Sequence, residues 1–153
     1  MRAFLLFLLS SISVLLPSIA YSGIQCDADR FSFSISMPKG YLSGVLITNE
    51  SDDSINGSMI NEFGISAVDF TYSRRNGKFR LVSVISFLDK WHIRRMLGND
   101  LRFCLRILKG LPADRKGKYQ VSTNDNSITV VNLRRKISYS FTPLETTSGN
   151  DTE

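Results

Sequence analysis

Serine alternates with apolar residues along Arg30–Met37, where Phe31, Phe33, Ile35 and Met37 take every second position. A period of two sends those four side chains to one face of an extended strand and the serines to the other. Pro38, Lys39 and Gly40 form a turn, and Tyr41–Asn49 reads as a second strand. Within it Gly44 marks a bulge or a close approach of neighbouring backbone. The polar loop Glu50–Ser54 leads to a third strand over Ile55–Glu62, interrupted by Gly57. Ala67–Tyr72 then puts Val68, Phe70 and Tyr72 on one face, and Lys78–Ile85 follows. Asn76-Gly77 lies between them and tolerates the positive φ angles of a tight hairpin turn.

Beyond this hairpin the period changes. Ile93, Met96 and Leu97 are spaced as on a helix over Asp89–Leu97, with Gly98 as the expected C-cap. Asn99 or Asp100 is then expected to cap a second helix reaching Lys109. On it Leu101, Cys104, Leu105 and Leu108 share a stripe, Phe103 and Ile107 widen it, and Arg102, Arg106 and Lys109 occupy the remaining arc. Gly110 and Pro112 end the segment. Tyr119–Thr123, Ser127–Arg134 and Ile137–Thr142 read as three more strands, the first two joined by a turn at Asn124–Asn126. Five strands, a helical pair and three strands predict an antiparallel sheet with a helical insertion, of the α+β class or an open barrel.

The first residues form a different pattern. Arg2 precedes the apolar run Phe4–Leu16, Pro17 ends it, and Ala20-Tyr21-Ser22 places small residues where signal peptidase reads them. That order predicts a signal peptide over 1–22, cleaved before Gly23. A run of 13 residues is short of the roughly 20 that span a bilayer as a helix. The expected address is therefore export, to the periplasm or outside the cell, with association to an outer membrane open. A lipid on Cys26 would need a small residue before it, and Gln25 is long and polar. A single β-rich domain is expected over 23–144, and the polar tail 145–153 is expected to be disordered.

Charge narrows the partners. The chain carries 19 basic and 14 acidic residues, an excess that suits anionic lipid or polysaccharide but is too dispersed for nucleic acid. Cys26 and Cys104 are the two cysteines. In an oxidising compartment they either pair, closing a loop worth roughly 4–5 kcal/mol in the chain-entropy model, or leave Cys104 as a buried free thiol.

Candidate chemistry is sparse. His92 is the single histidine, and no nucleophile is identifiable beside it. Asp89, three residues earlier, is within reach on one helix face. Glu62 and Asp69 could meet across strands as a carboxylate pair, but the alternation turns Asp69 away from Val68, Phe70 and Tyr72. No spacing of histidines, cysteines or acids matches a metal site. Neither a catalytic residue, a metal nor a cofactor is expected.

Gly44-Val45-Leu46-Ile47, Asn61-Glu62-Phe63-Gly64-Ile65 and Val68-Asp69-Phe70, followed by a hairpin and a helical pair, resemble small envelope proteins of Bacteroidetes-type bacteria related to the LolA/LolB lipoprotein carriers. The resemblance covers about Tyr41–Leu108. It implies a half-open antiparallel β-barrel with the helical pair as lid, and a non-enzymatic role in lipid or lipoprotein transport. The wide apolar arc fits that role: a lid over an apolar cavity would hold a lipid or acyl chain against Trp91, Met96, Leu101, Phe103, Leu105, Ile107 and Leu108. Arg94, Arg95, Arg102, Arg106 and Lys109 would then lie near lipid headgroups in a peripheral membrane contact. The alternative is a structural or protein-interaction component of an envelope complex, with a filled core and contacts made through the surface.

Overall fold

Each of the eight expected strands is present in the computed structural model, which describes residues 29–113, 117–124 and 126–144. The expected signal peptide, Cys26 and the tail 145–153 lie outside the described residues. The strands are β1 (Arg30–Met37), β2 (Gly40–Glu50), β3 (Ser54–Asn61), β4 (Ser66–Ser73), β5 (Phe79–Val84), β6 (Tyr119–Asn124), β7 (Ser127–Asn132) and β8 (Ile137–Pro143). They form one antiparallel sheet in the order β5-β4-β3-β2-β1-β8-β7-β6. The five-stranded and three-stranded meanders join where the first strand pairs with the last, with Phe33 opposite Phe141 and Ile35 opposite Tyr139. The two edges, β5 and β6, do not pair with each other, so the sheet is not closed.

Alternation decides which face is buried. Phe31, Phe33 and Ile35 are buried on β1, while Ser32 and Ser36 between them are exposed. Leu46, Ile55, Met59, Phe70, Tyr72, Ile128, Val130, Tyr139 and Phe141 extend the same apolar face across the sheet. Two glycines make room on it. A Cβ on Gly57 would stand 2.1 Å from the Phe70 ring lying over it. A Cβ on Gly44 would stand 1.9 Å from the Ile60 carbonyl oxygen, the close backbone approach that a strand glycine signals. In the β4–β5 turn Gly77 takes a positive φ of 63° while Asn76 does not, and the Gly77 N–H donates to the Ser73 carbonyl at 2.9 Å.

One expectation is corrected. A helical pair broken at Gly98 does not occur; a short 3-10 turn (Ser86–Leu88) precedes a single helix, α1 (Trp91–Leu108), of 18 residues. Gly98 lies inside it, where a Cβ would make ordinary contact with Leu81 at 3.6 Å. A mid-helix glycine costs about 1 kcal/mol relative to alanine. Burial of Leu97, Leu101, Cys104, Leu105 and Leu108 on either side of it far exceeds that, at about 1.5–3 kcal/mol per large apolar side chain. Asp100 is consequently not a helix cap but an interior position, fully buried. The helix follows edge strand β5 in the chain and packs on the apolar face toward β7, near the other edge. It covers that face alone; the opposite, serine- and threonine-rich face has no element over it among the described residues.

Candidate functional site

The residues expected to line an apolar cavity separate into two groups. Leu101, Phe103, Leu105 and Leu108 are buried between helix and sheet. Met96 and Ile107 are half-buried against the same core. Trp91 stands at the helix N-terminus with 75% of its surface exposed and contacts His92 edge to face. The space left beneath the helix is about 10 Å³, lined by Leu46, Met59, Phe70, Leu101, Cys104, Leu105, Leu108 and Phe141. That volume is at the threshold for a single water molecule. The helix therefore packs directly onto the sheet.

Cys104 is a buried free thiol. Burial pushes its pKa up, and the nearby Asp100 charge adds to the rise. The proposed partner, Cys26, is outside the described residues. The other weighed groups find structural partners. Asp89 accepts a hydrogen bond from Arg94 Nη1 at 2.7 Å, so it orients that arginine. Asp69 accepts from the hydroxyls of Ser58 and Ser66 at 2.6 and 2.7 Å, and Glu62 accepts from Ser43, so the two carboxylates serve separate local contacts. No group of three metal-ligating side chains occurs among the described residues.

Two polar arrangements remain. The first is a buried cluster around Asp100. Tyr119 Oη donates to Oδ1 at 2.5 Å, Tyr139 Oη donates to Oδ2 at 2.9 Å, and Asn132 Nδ2 donates to both oxygens at 3.0 and 2.9 Å. Lys118 Nζ stands 3.7 Å from Oδ1, and its side chain is 40% exposed. The helix is thereby tied to β6, β7 and β8 by one carboxylate. Both tyrosine pKa values are pushed far up: burial contributes most, and the Asp100 carboxylate, which accepts their protons in hydrogen bonds, adds to it. With its oxygens occupied by fixed donors, the cluster is organised as a clamp.

The second is an open groove of about 680 Å³ between α1 and the β4–β5 hairpin. Arg94, Arg95, Asn99 and Arg102 line it from the helix, Asn76, Gly77 and Lys78 from the turn, and Phe79, Leu81 and Gly98 complete it. Helical spacing puts Arg95, Asn99 and Arg102 on one stripe. The left-handed Gly77 turn lies close to the Arg102 guanidinium: Nη2 is 3.6 Å from the place a Cβ would take. Four cationic side chains line the groove and no carboxylate does. Arg94 is held by Asp89 and donates to the Leu81 carbonyl at 3.3 Å. Lys78, Arg95 and Arg102 are exposed. Such a lining can take an anionic group bidentately.

The basic arc of the helix was legible in part: Arg102 is exposed in the groove, but Arg106 is half-buried and the Lys109 side chain is buried against Glu50. The pairing of Arg102 with the hairpin turn was not legible, because nothing local sets the two side by side. The Asp100 cluster left one readable signal. Asp100 falls three residues after Leu97 and four before Cys104, so it occupies a place on the buried stripe.

No protein-family model, curated protein or solved structure matches the chain. No helix among the described residues is long and apolar enough to cross a membrane.

Proposed function

We propose that this protein is a non-enzymatic interaction component of a bacterial envelope, with a filled core, that binds an anionic partner through the groove between α1 and the β4–β5 hairpin. The observation that carries this reading is the lining: Lys78, Arg94, Arg95 and Arg102 converge on about 680 Å³ of open space without a carboxylate among the lining residues. Exposed cations held on a helix and a hydrogen-bonded turn are partly preorganised, which lowers the cost of ordering them on a partner.

The test is calorimetric titration with a short polyphosphate as probe, at low and at physiological salt. Arg95→Glu/Arg102→Glu is expected to weaken binding by roughly tenfold or more while leaving the circular dichroism spectrum unchanged. Equal affinity in wild type and variant would sink the groove as the binding site.

A second reading, the lipid carrier, is favoured by the apolar lining of the small space beneath the helix. It requires α1 to rise from the sheet to admit an acyl chain, because about 10 Å³ holds none. A fluorescent fatty acid that binds with one-to-one stoichiometry, and is excluded when α1 is cross-linked to β7, would favour it.

A further inference from the structure

The sheet has two rims, and they differ in chemistry. Antiparallel register places the β1–β2, β3–β4 and β7–β8 turns, the β5-to-α1 connection and the start of β6 at one rim. The β2–β3, β4–β5 and β6–β7 turns lie at the other, with the start of β1 beside the end of β8, where Leu144 N–H donates to the Arg30 carbonyl at 2.9 Å.

Nine large hydrophobic residues are exposed among the described residues. Six of them, Tyr41, Phe63, Ile65, Phe87, Trp91 and Leu133, belong to the first rim; toward the opposite rim lie Leu144 and Ile47, the latter paired with Arg30, and Val82 lies within β5. Phe63 and Trp91 are 84% and 75% exposed. They are not loose ends. The Asn61 side chain accepts the backbone N–H groups of Phe63 and Ile65 at 3.0 and 2.9 Å, and the Asn61 N–H donates to the Ile65 carbonyl at 2.9 Å. That turn is built to hold both side chains outward. Ile85 N–H donates to the Ala67 carbonyl at 2.9 Å, which seats the Phe87 turn next to the start of β4, and buried Leu88 anchors it.

Charge divides the same way. The first rim carries exposed Lys39, Lys90, Arg134, Arg135 and Lys136, and none of the five forms an ion pair with another described residue. Its acids among the described residues, Glu62 and Asp89, are engaged by Ser43 and Arg94. At the opposite rim acids and bases are nearly balanced: Glu50 pairs with Arg74 and Lys109 and Asp53 with Arg75, beside exposed Asp29, Arg30, Asp52 and Lys78.

We propose that the first rim docks the protein on an anionic lipid bilayer. Phe63, Ile65, Phe87 and Trp91 enter the headgroup region, where aromatic side chains are favoured, and the lysines and arginines meet lipid phosphates. Projecting apolar tips separated by cations match a headgroup layer better than a flat protein surface, which would leave the cations desolvated without partners. The contact is independent of the groove beside α1.

Trp91 is the sole tryptophan and reports directly. Its emission is expected to shift to the blue with vesicles of phosphatidylglycerol and phosphatidylcholine, and to be quenched by brominated acyl chains. Vesicles of phosphatidylcholine alone should give neither effect. Phe63→Ser/Phe87→Ser should weaken vesicle co-sedimentation by roughly tenfold or more. Leu144→Ser at the opposite rim should bind vesicles as wild type does, and Arg95→Glu/Arg102→Glu in the groove, which only lowers the overall attraction to anionic lipid, should lose less vesicle binding than Phe63→Ser/Phe87→Ser. The proposal is overturned if wild type neither sediments with anionic vesicles nor shifts its emission, if neutral vesicles bind equally, or if the double variant, folded by circular dichroism, binds undiminished. Loss of vesicle binding in the groove variant alone would place the lipid contact at the groove and overturn the rim.

Discussion

Asp100 shows how one polar side chain can hold an otherwise apolar interface in register. Its carboxylate receives donors from three strands, and its side chain is fully buried. Asp100→Ala would remove the acceptor and leave the Tyr139 hydroxyl and the Asn132 amide without a partner in the core. Urea unfolding should show a loss of roughly 3–5 kcal/mol, and a loss below about 1 kcal/mol would mean that the clamp contributes little. The same cluster sets a pH limit. Burial, with the Asp100 charge added, raises the pKa values of Cys104, Tyr119 and Tyr139, so these groups keep their protons in the folded protein. The unfolded chain loses them above about 8.5 for the thiol and about 10 for the tyrosines. It therefore binds fewer protons than the native state in that range, and stability falls as pH rises through it. Denaturation midpoints should be level around neutral pH and decline from about pH 9 upward. Tyr139→Phe should flatten the decline above about pH 10; an unchanged slope would show that Tyr139 does not take part.

The strands were legible because each carries a repeated signal. Phe31, Phe33 and Ile35 alternate with serines, and a single register of β1 buries all three. The helix was legible as a stripe but not as a unit. Gly98 followed by Asn99 and Asp100 looks like a stop and a fresh cap, because those residue types favour helix ends when local geometry alone is considered. Tertiary burial overrode it: Leu97, Asp100 and Leu101 are all buried, which requires the helix to continue through the glycine. Gly98→Ala tests this. In a helix interior, with only an ordinary contact to Leu81 at 3.6 Å, alanine should stabilise the protein by about 0.5–1 kcal/mol. At a left-handed cap it would destabilise by a similar amount. A rise in the thermal midpoint supports the continuous helix, and a fall argues for two.

Strand order was beyond reading from the sequence, because pairing between β1 and β8 leaves no mark in either segment. Both alternate, and either could have stood at an edge. The pairing gives the whole molecule a testable geometry. The N-terminal end of β1 and the C-terminal end of β8 are hydrogen-bonded neighbours. A circular permutant joining residues 144 and 29 through a short linker, with new ends between Asp52 and Asp53 in the β2–β3 turn, should therefore fold with the same circular dichroism spectrum. Failure of the permutant to give a cooperative transition would argue against β1 beside β8.

That neighbour relation also has a consequence in time. About a hundred residues separate β1 from its partner β8 along the chain. At translation rates of about 5–20 residues per second, this is an interval of roughly 5–20 s. During it the first meander can form, yet the edge of β1 that β8 will cover offers its N–H and C=O groups to any strand that reaches it. A second nascent copy carries the same β8 sequence, so crowding on a shared message would favour exchange of that strand between chains.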